Sequence, residues 1–163
     1  MKTVLVFLIC GLSLCIIDKQ NLNKTKHVEC YYKSEINSPI LIHDAVDGKI
    51  IDSLTLKSAM KESNRFEILE SEYGWFKLKP YSVEQRNFDN FWVKSNGFFF
   101  KAKSIKEDVW MYLYDLPTKQ SNRIHRLDNH QEVEVTEVST LWVKVKFKIG
   151  NKRVEGWLPH ENY

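Results

Sequence analysis

Cys30 is the residue best placed by type for covalent chemistry, because His27 stands three residues before it. A thiolate beside an imidazole is what a cysteine nucleophile requires. The pair falls ahead of the first expected barrel, however, with no room for a catalytic fold around it, so Cys30 reads as a structural or incidental thiol. Glu67, Glu70, Glu134 and Glu137 come in pairs, and paired carboxylates can hydrolyse glycosides. Here they flank alternating segments and read as solvated strand and turn residues. His43, His125, His130 and His160 are scattered and read as solvent-exposed. The chain has no glycine-rich phosphate loop, no Gly-x-Ser-x-Gly elbow and no His-Glu-x-x-His pair. Its three cysteines, Cys10, Cys15 and Cys30, lack zinc-ligand spacing and are too few for a disulfide framework. A non-catalytic protein with no cofactor and no metal is expected.

Aromatic residues are the conspicuous alternative. They make up 13% of 163 residues and include five Trp. Flat rings with one polar atom suit small cores and binding grooves alike. Charge points to no particular polymer: the formal net charge is +3, and acidic and basic residues are interspersed. No Lys/Arg run reaches the density of a nucleic-acid surface, so no nucleic-acid partner is expected. Lys144, Lys146 and Lys148 alternate along one strand face and read as solvated.

The N-terminus carries an export pattern. Lys2 precedes an apolar stretch from Val4 to Ile17, followed by polar Asp18-Lys19-Gln20-Asn21. A positive start before an apolar segment of this length describes a signal peptide, and the segment is short for a membrane span. Leu12-Ser13-Leu14-Cys15 resembles a lipoprotein signal ending in the cysteine that takes lipid, although Leu14 stands where such signals carry a small residue. Gly11-Leu12-Ser13 offers small residues to an ordinary signal peptidase. Lipidation at Cys15 and simple secretion both stay open, and a lipid anchor is the one membrane contact expected.

Past a polar tether, the chain reads as short β segments. Residues 39–43, 66–70, 75–79, 91–94, 98–100, 110–114, 133–136 and 142–147 read as strands, several with apolar and polar residues alternating at period two. Asp47-Gly48, Tyr73-Gly74, Asn96-Gly97 and Gly150-Asn151 supply turns between them. Ser53 to Glu62 offers at most a short helix. The class expected is all-β.

An internal repeat organises these segments. Phe66-Glu-Ile-Leu-Glu-Ser-Glu-Tyr-Gly-Trp75-Phe-Lys-Leu overlays Val133-Glu-Val-Thr-Glu-Val-Ser-Thr-Leu-Trp142-Val-Lys-Val without a gap, 67 residues apart. Upstream, Leu41-Ile42-His43-Asp44 matches Leu113-Tyr114-Asp115. Downstream, Phe91-Trp92-Val93 matches Gly156-Trp157-Leu158. Tyr112 and Tyr114 share one strand face and Leu113 takes the other.

In its second copy the sequence resembles the bacterial SH3 family. Tyr112-Leu113-Tyr114-Asp115-Leu116-Pro117 is similar to the family's Ala-Leu-Tyr-Asp-Tyr first strand. Trp142-Val143-Lys144-Val145 is similar to its Trp-x-Lys-Val strand, and Glu155-Gly156-Trp157-Leu158-Pro159 to its Gly-Trp-Val closing strand. Asn162-Tyr163 is similar to the closing Asn-Tyr, displaced by one residue. In the first copy Phe91 replaces the glycine and the loop from Pro80 to Asn90 is longer. The loop Thr118 to Asn129 holds Arg and Lys where an acidic cluster would be, so a ligand anchored by arginine is not implied.

The resemblance implies two tandem SH3-like small β-barrels: a signal peptide at 1–17, a polar tether at 18–35, a divergent first barrel at 36–103 and a second at 104–163. It also implies a ligand groove built from Tyr114, Trp142 and Pro159, with Trp75 and Tyr112 as further members. Trp92 and Trp157 read as core residues, and Trp110 as cement between the copies. The function expected is that of an exported binding protein of the bacterial cell envelope, in the periplasm or held as a lipoprotein. It would recognise a cell-wall (peptidoglycan) peptide or a protein strand; the alternative is an interaction or immunity protein that caps a partner in the periplasm.

Overall fold

A computed structural model of the chain describes residues 27–33, 39–55, 64–80, 90–104 and 110–160. The expected signal peptide with Cys15, the loop residues 81–89, the segment 56–63 and the terminal Asn162-Tyr163 lie outside the described residues. What is described is all-β, as the alternation predicts. Twelve strands form one open antiparallel sheet: β1 (Val28–Tyr32), β2 (Ile40–His43), β3 (Ile50–Leu54), β4 (Arg65–Glu72), β5 (Trp75–Pro80), β6 (Phe91–Lys94), β7 (Phe98–Lys101), β8 (Met111–Tyr114), β9 (Arg123–Leu127), β10 (Glu132–Val138), β11 (Trp142–Ile149) and β12 (Lys152–Pro159).

The order across the sheet is β3-β2-β6-β5-β4-β1-β7-β10-β11-β12-β8-β9. Read outward from the middle, both halves run the same way: a short central strand, the strand before the repeated Trp, the Trp strand, the closing strand, then a hairpin. The irregularities repeat as well. A bulge between Ile68 and Glu70 recurs between Val135 and Glu137, and one between Ile42 and His43 recurs between Leu113 and Tyr114. A bulge inserts a residue at one defined place and bends the strand there, so its recurrence at matched positions means that the copies share backbone geometry.

Local chemistry explains the turns. Glu72 pairs with Trp75 across a two-residue loop in which Tyr73 and Gly74 both have positive φ, at 44° and 81°. That conformation matches the twist of the strands it joins and favours glycine. Gly150 opens the β11–β12 loop with φ 57°. Val28 and Cys30 on β1 point inward, as do Phe98 and Phe100 on β7, all under 5% exposed.

Two expectations are corrected here. The stretch assigned to the tether, 18–35, contains β1, which sits at the centre of the sheet between β4 and β7. Phe98–Lys101, assigned to the first copy, pairs with β10 of the second. The halves also share one apolar core, in which Ile68, Phe76 and Phe98 join Val133, Val143 and Leu158 in a single cluster. Phe98 is the clearest link. Its ring packs at 5.1 Å from Tyr32, 5.9 Å from Phe66 and 5.6 Å from Phe76, all in the first copy, while its own strand belongs to the ladder of the second. Ser71 and Val138 occupy the same repeat position and touch each other. The Ser71 hydroxyl donates to the Val138 carbonyl at 2.9 Å and accepts from the Val138 N–H at 2.8 Å.

Candidate functional site

In the second copy Trp142 opens β11 opposite Pro159, and Tyr114 on β8 pairs with Trp157 on β12. The Tyr114 and Trp142 rings meet edge to face with centroids 5.5 Å apart, a geometry worth roughly 0.5–1.5 kcal/mol beyond burial. β12 comes this close to β8 because Gly156 lacks a side chain: a Cβ there would lie 3.0 Å from the Tyr114 carbonyl and 3.1 Å from the Leu113 Cβ. The first copy carries Phe91 at the matching place.

The turn that presents Trp142 is pinned twice by His160. Its backbone N–H donates to the Leu141 carbonyl at 3.0 Å, and its Nε2–H donates to the Ser139 carbonyl at 3.1 Å. The equivalent backbone bond in the first copy runs from Ser95 to Gly74 at 3.0 Å. His160 is 5% exposed, in contrast to its reading as a solvated residue, and sequence gave no sign of this role.

Trp142 and Tyr112 are half-buried, Pro159 is buried and Tyr114 is 8% exposed. Two leucines close in sequence to these rings are largely exposed: Leu116, two residues after β8 and at the family's second groove-Tyr position, and Leu141, directly before Trp142, which sequence reasoning passed over. Ser121 holds the Leu116 loop, its hydroxyl donating to the Leu116 carbonyl at 2.9 Å. Asp115 accepts from the Asn122 side chain at 2.9 Å and from the Asn122 backbone at 3.1 Å. These bonds, the Asn122 side chain first among them, hold its carboxyl below the usual aspartate range.

The first copy uses the same positions differently. His43 stands where the second copy has Tyr114, and its ring meets Trp75 at 4.7 Å. Lys94 stands where the second copy has Pro159. Its ammonium lies 3.7 Å from the centre of the Trp75 ring and 3.6 Å from the Asp47 carboxylate. Trp75 is therefore 2% exposed and has no open face for a ligand to lie on. Trp110, expected to cement the copies, is instead 59% exposed and carries the Arg126 guanidinium 3.5 Å from its ring centre.

No family model matches the sequence, and no curated protein matches it. Two solved structures, NlpC1 and NlpC2 of Trichomonas vaginalis, are similar to the chain at 8% and 9% sequence identity, with TM-scores of 0.35 and 0.32. The likeness covers 86% and 85% of this chain and 46% and 48% of theirs, so the chain spans less than half the length of either. A likeness this loose carries no conclusion about fold or activity.

Proposed function

We propose that the chain is an exported, non-catalytic binding protein of the cell envelope, formed from two SH3-like units of which the second holds the ligand groove. What supports the reading is the contrast between copies built on one strand order. In the second, the Trp142 and Tyr114 rings meet at 5.5 Å, Pro159 lies opposite Trp142, and Leu116 and Leu141 nearby in sequence are exposed. In the first, Lys94 and His43 cover Trp75. Aromatic rings give a peptide a broad contact surface at little cost in rotamer entropy. An extended strand can lie across them with its polar groups still wet. The ligand class, a cell-wall peptide or a protein strand, follows from the family resemblance.

Co-sedimentation with isolated cell walls tests this. The protein beginning at residue 18 should pellet with walls at modest salt, and Trp142→Ala should weaken pelleting while leaving the far-ultraviolet circular dichroism spectrum unchanged. No wall binding, together with a stoichiometric protein partner in pull-downs, would replace the wall ligand with a capping role. Binding that survives Trp142→Ala but is lost in Lys94→Glu would move the groove to the first copy.

A further inference from the structure

The aromatic face of the second copy ends at an arginine-bearing strand. β9 is the last strand of the sheet. Arg126 pairs with Tyr112 and Arg123 with Tyr114 in its ladder with β8, and residues directly opposite share a face. The guanidinium of Arg123 lies 4.5 Å from the centre of the Tyr112 ring, and that of Arg126 lies 3.5 Å from that of Trp110. Both arginines are exposed. Each guanidinium lies over a ring at an exposed position, and a guanidinium can bind a carboxylate in two-point fashion.

Several charges on or beside this face are matched within the protein. Lys144 pairs with Glu155 at 3.1 Å and Lys146 with Glu134 at 3.0 Å, and Asp115 is held by Asn122. Among the described residues, neither Arg123 nor Arg126 has a carboxylate within ion-pair distance. The first copy is an internal control. At the positions of Arg123, Arg126 and Tyr112 it has Ile50, Ser53 and Leu41. The arginine–aromatic arrangement is thus peculiar to the copy whose repeated Trp is half-exposed rather than covered.

We infer that the second copy selects an extended acidic peptide segment, its backbone on the Trp142–Tyr114 rings and its Asp or Glu side chains on Arg123 and Arg126. This rests on the groove reading above and names the chemistry of its ligand. Selection from a displayed library of random twelve-residue peptides tests it with the purified chain, the Trp142→Ala variant and an Arg123→Glu/Arg126→Glu double variant. Both arginines are exposed, and matching thermal melts will show that the double variant folds. The expected result is enrichment of peptides rich in Asp and Glu, at least tenfold weaker binding of those peptides to the double variant, and loss of enrichment in Trp142→Ala. Enrichment lost in Trp142→Ala but without acidic bias would overturn the acid preference and leave the groove standing. Acidic enrichment that persists in the double variant would also overturn it. No enrichment of any peptide would overturn both.

Discussion

Phe98→Ala should weaken both halves of the molecule at once. The ring is fully buried and meets three other aromatic rings within 6 Å. Its strand hydrogen-bonds into the second copy through the Val133–Phe100 and Glu134–Phe99 pairs. Truncating a buried phenylalanine costs about 3–5 kcal/mol, and the ring pairs set this site toward the upper end. With a urea slope of about 2 kcal/mol per molar, the unfolding midpoint should fall by about 2 M. Urea unfolding read by tryptophan fluorescence and by circular dichroism should stay a single, coincident transition. Amide exchange read by mass spectrometry should show peptides from 66–80 and from 133–147 losing protection by the same factor. Leu127→Ala, at a buried position far from the seam and within the second copy, should do the same with a shift set by about 2–5 kcal/mol. Two separate transitions in the parent protein, or protection lost in one half alone, would refute the shared core as the source of stability.

Lys94→Ala should expose the Trp75 ring, raising acrylamide quenching of its fluorescence, with a stability change under about 1 kcal/mol because a cation over a ring at a partly exposed site contributes little more. Lys33 and Tyr31 hydrogen-bond Glu132, Lys33 the stronger influence, and hold its carboxyl below the usual glutamate range. A depressed carboxylate contributes stability above the unfolded pKa that is lost as pH falls through the folded value. Glu132→Gln should therefore flatten the loss of stability below about pH 4.5, measured by thermal melts across the acid range. Burial raises the Cys30 thiol far above its ordinary value, with the Glu29 charge adding to it. In protein beginning at residue 18, this thiol should resist Ellman's reagent at pH 8 until urea unfolds the chain.

The repeated hairpins were readable because each buries one side of its strands. Phe66, Ile68, Phe76 and Leu78 are buried and recur at every second position, as do Val133, Val135, Val143 and Val145, with mostly charged residues between them. The strands that escaped notice give no such rhythm. β3 buries no residue fully, and β9 buries only Leu127. At the rim of a sheet a strand has a neighbour on one side only, so hydrogen bonding rather than an apolar face specifies it. The start of order near Val28 was readable, but β1 is too short to declare its central place in the sheet. Its two inward side chains become a pattern only once β4 and β7 stand on either side. The site was partly readable for the same reason: the Tyr114, Trp142 and Pro159 motifs are local, whereas the cover on Trp75 comes from Lys94, which is local to a different strand. No period in the sequence shows an ammonium reaching a ring.

The contact between Ser71 and Val138 joins one repeat position to its own counterpart. Self-matching of this kind is the mark of a two-fold dimer, in which each partner offers the same patch. Here the two partners are consecutive lengths of one polypeptide, and the dimer's axis runs through the seam between β1 and β7. A chain severed between Lys94 and Phe98 would leave each piece with a bare β-edge and half a core. Neither piece would be expected to persist alone in water, yet each carries the surface that the other completes, so co-expressed fragments should reassemble.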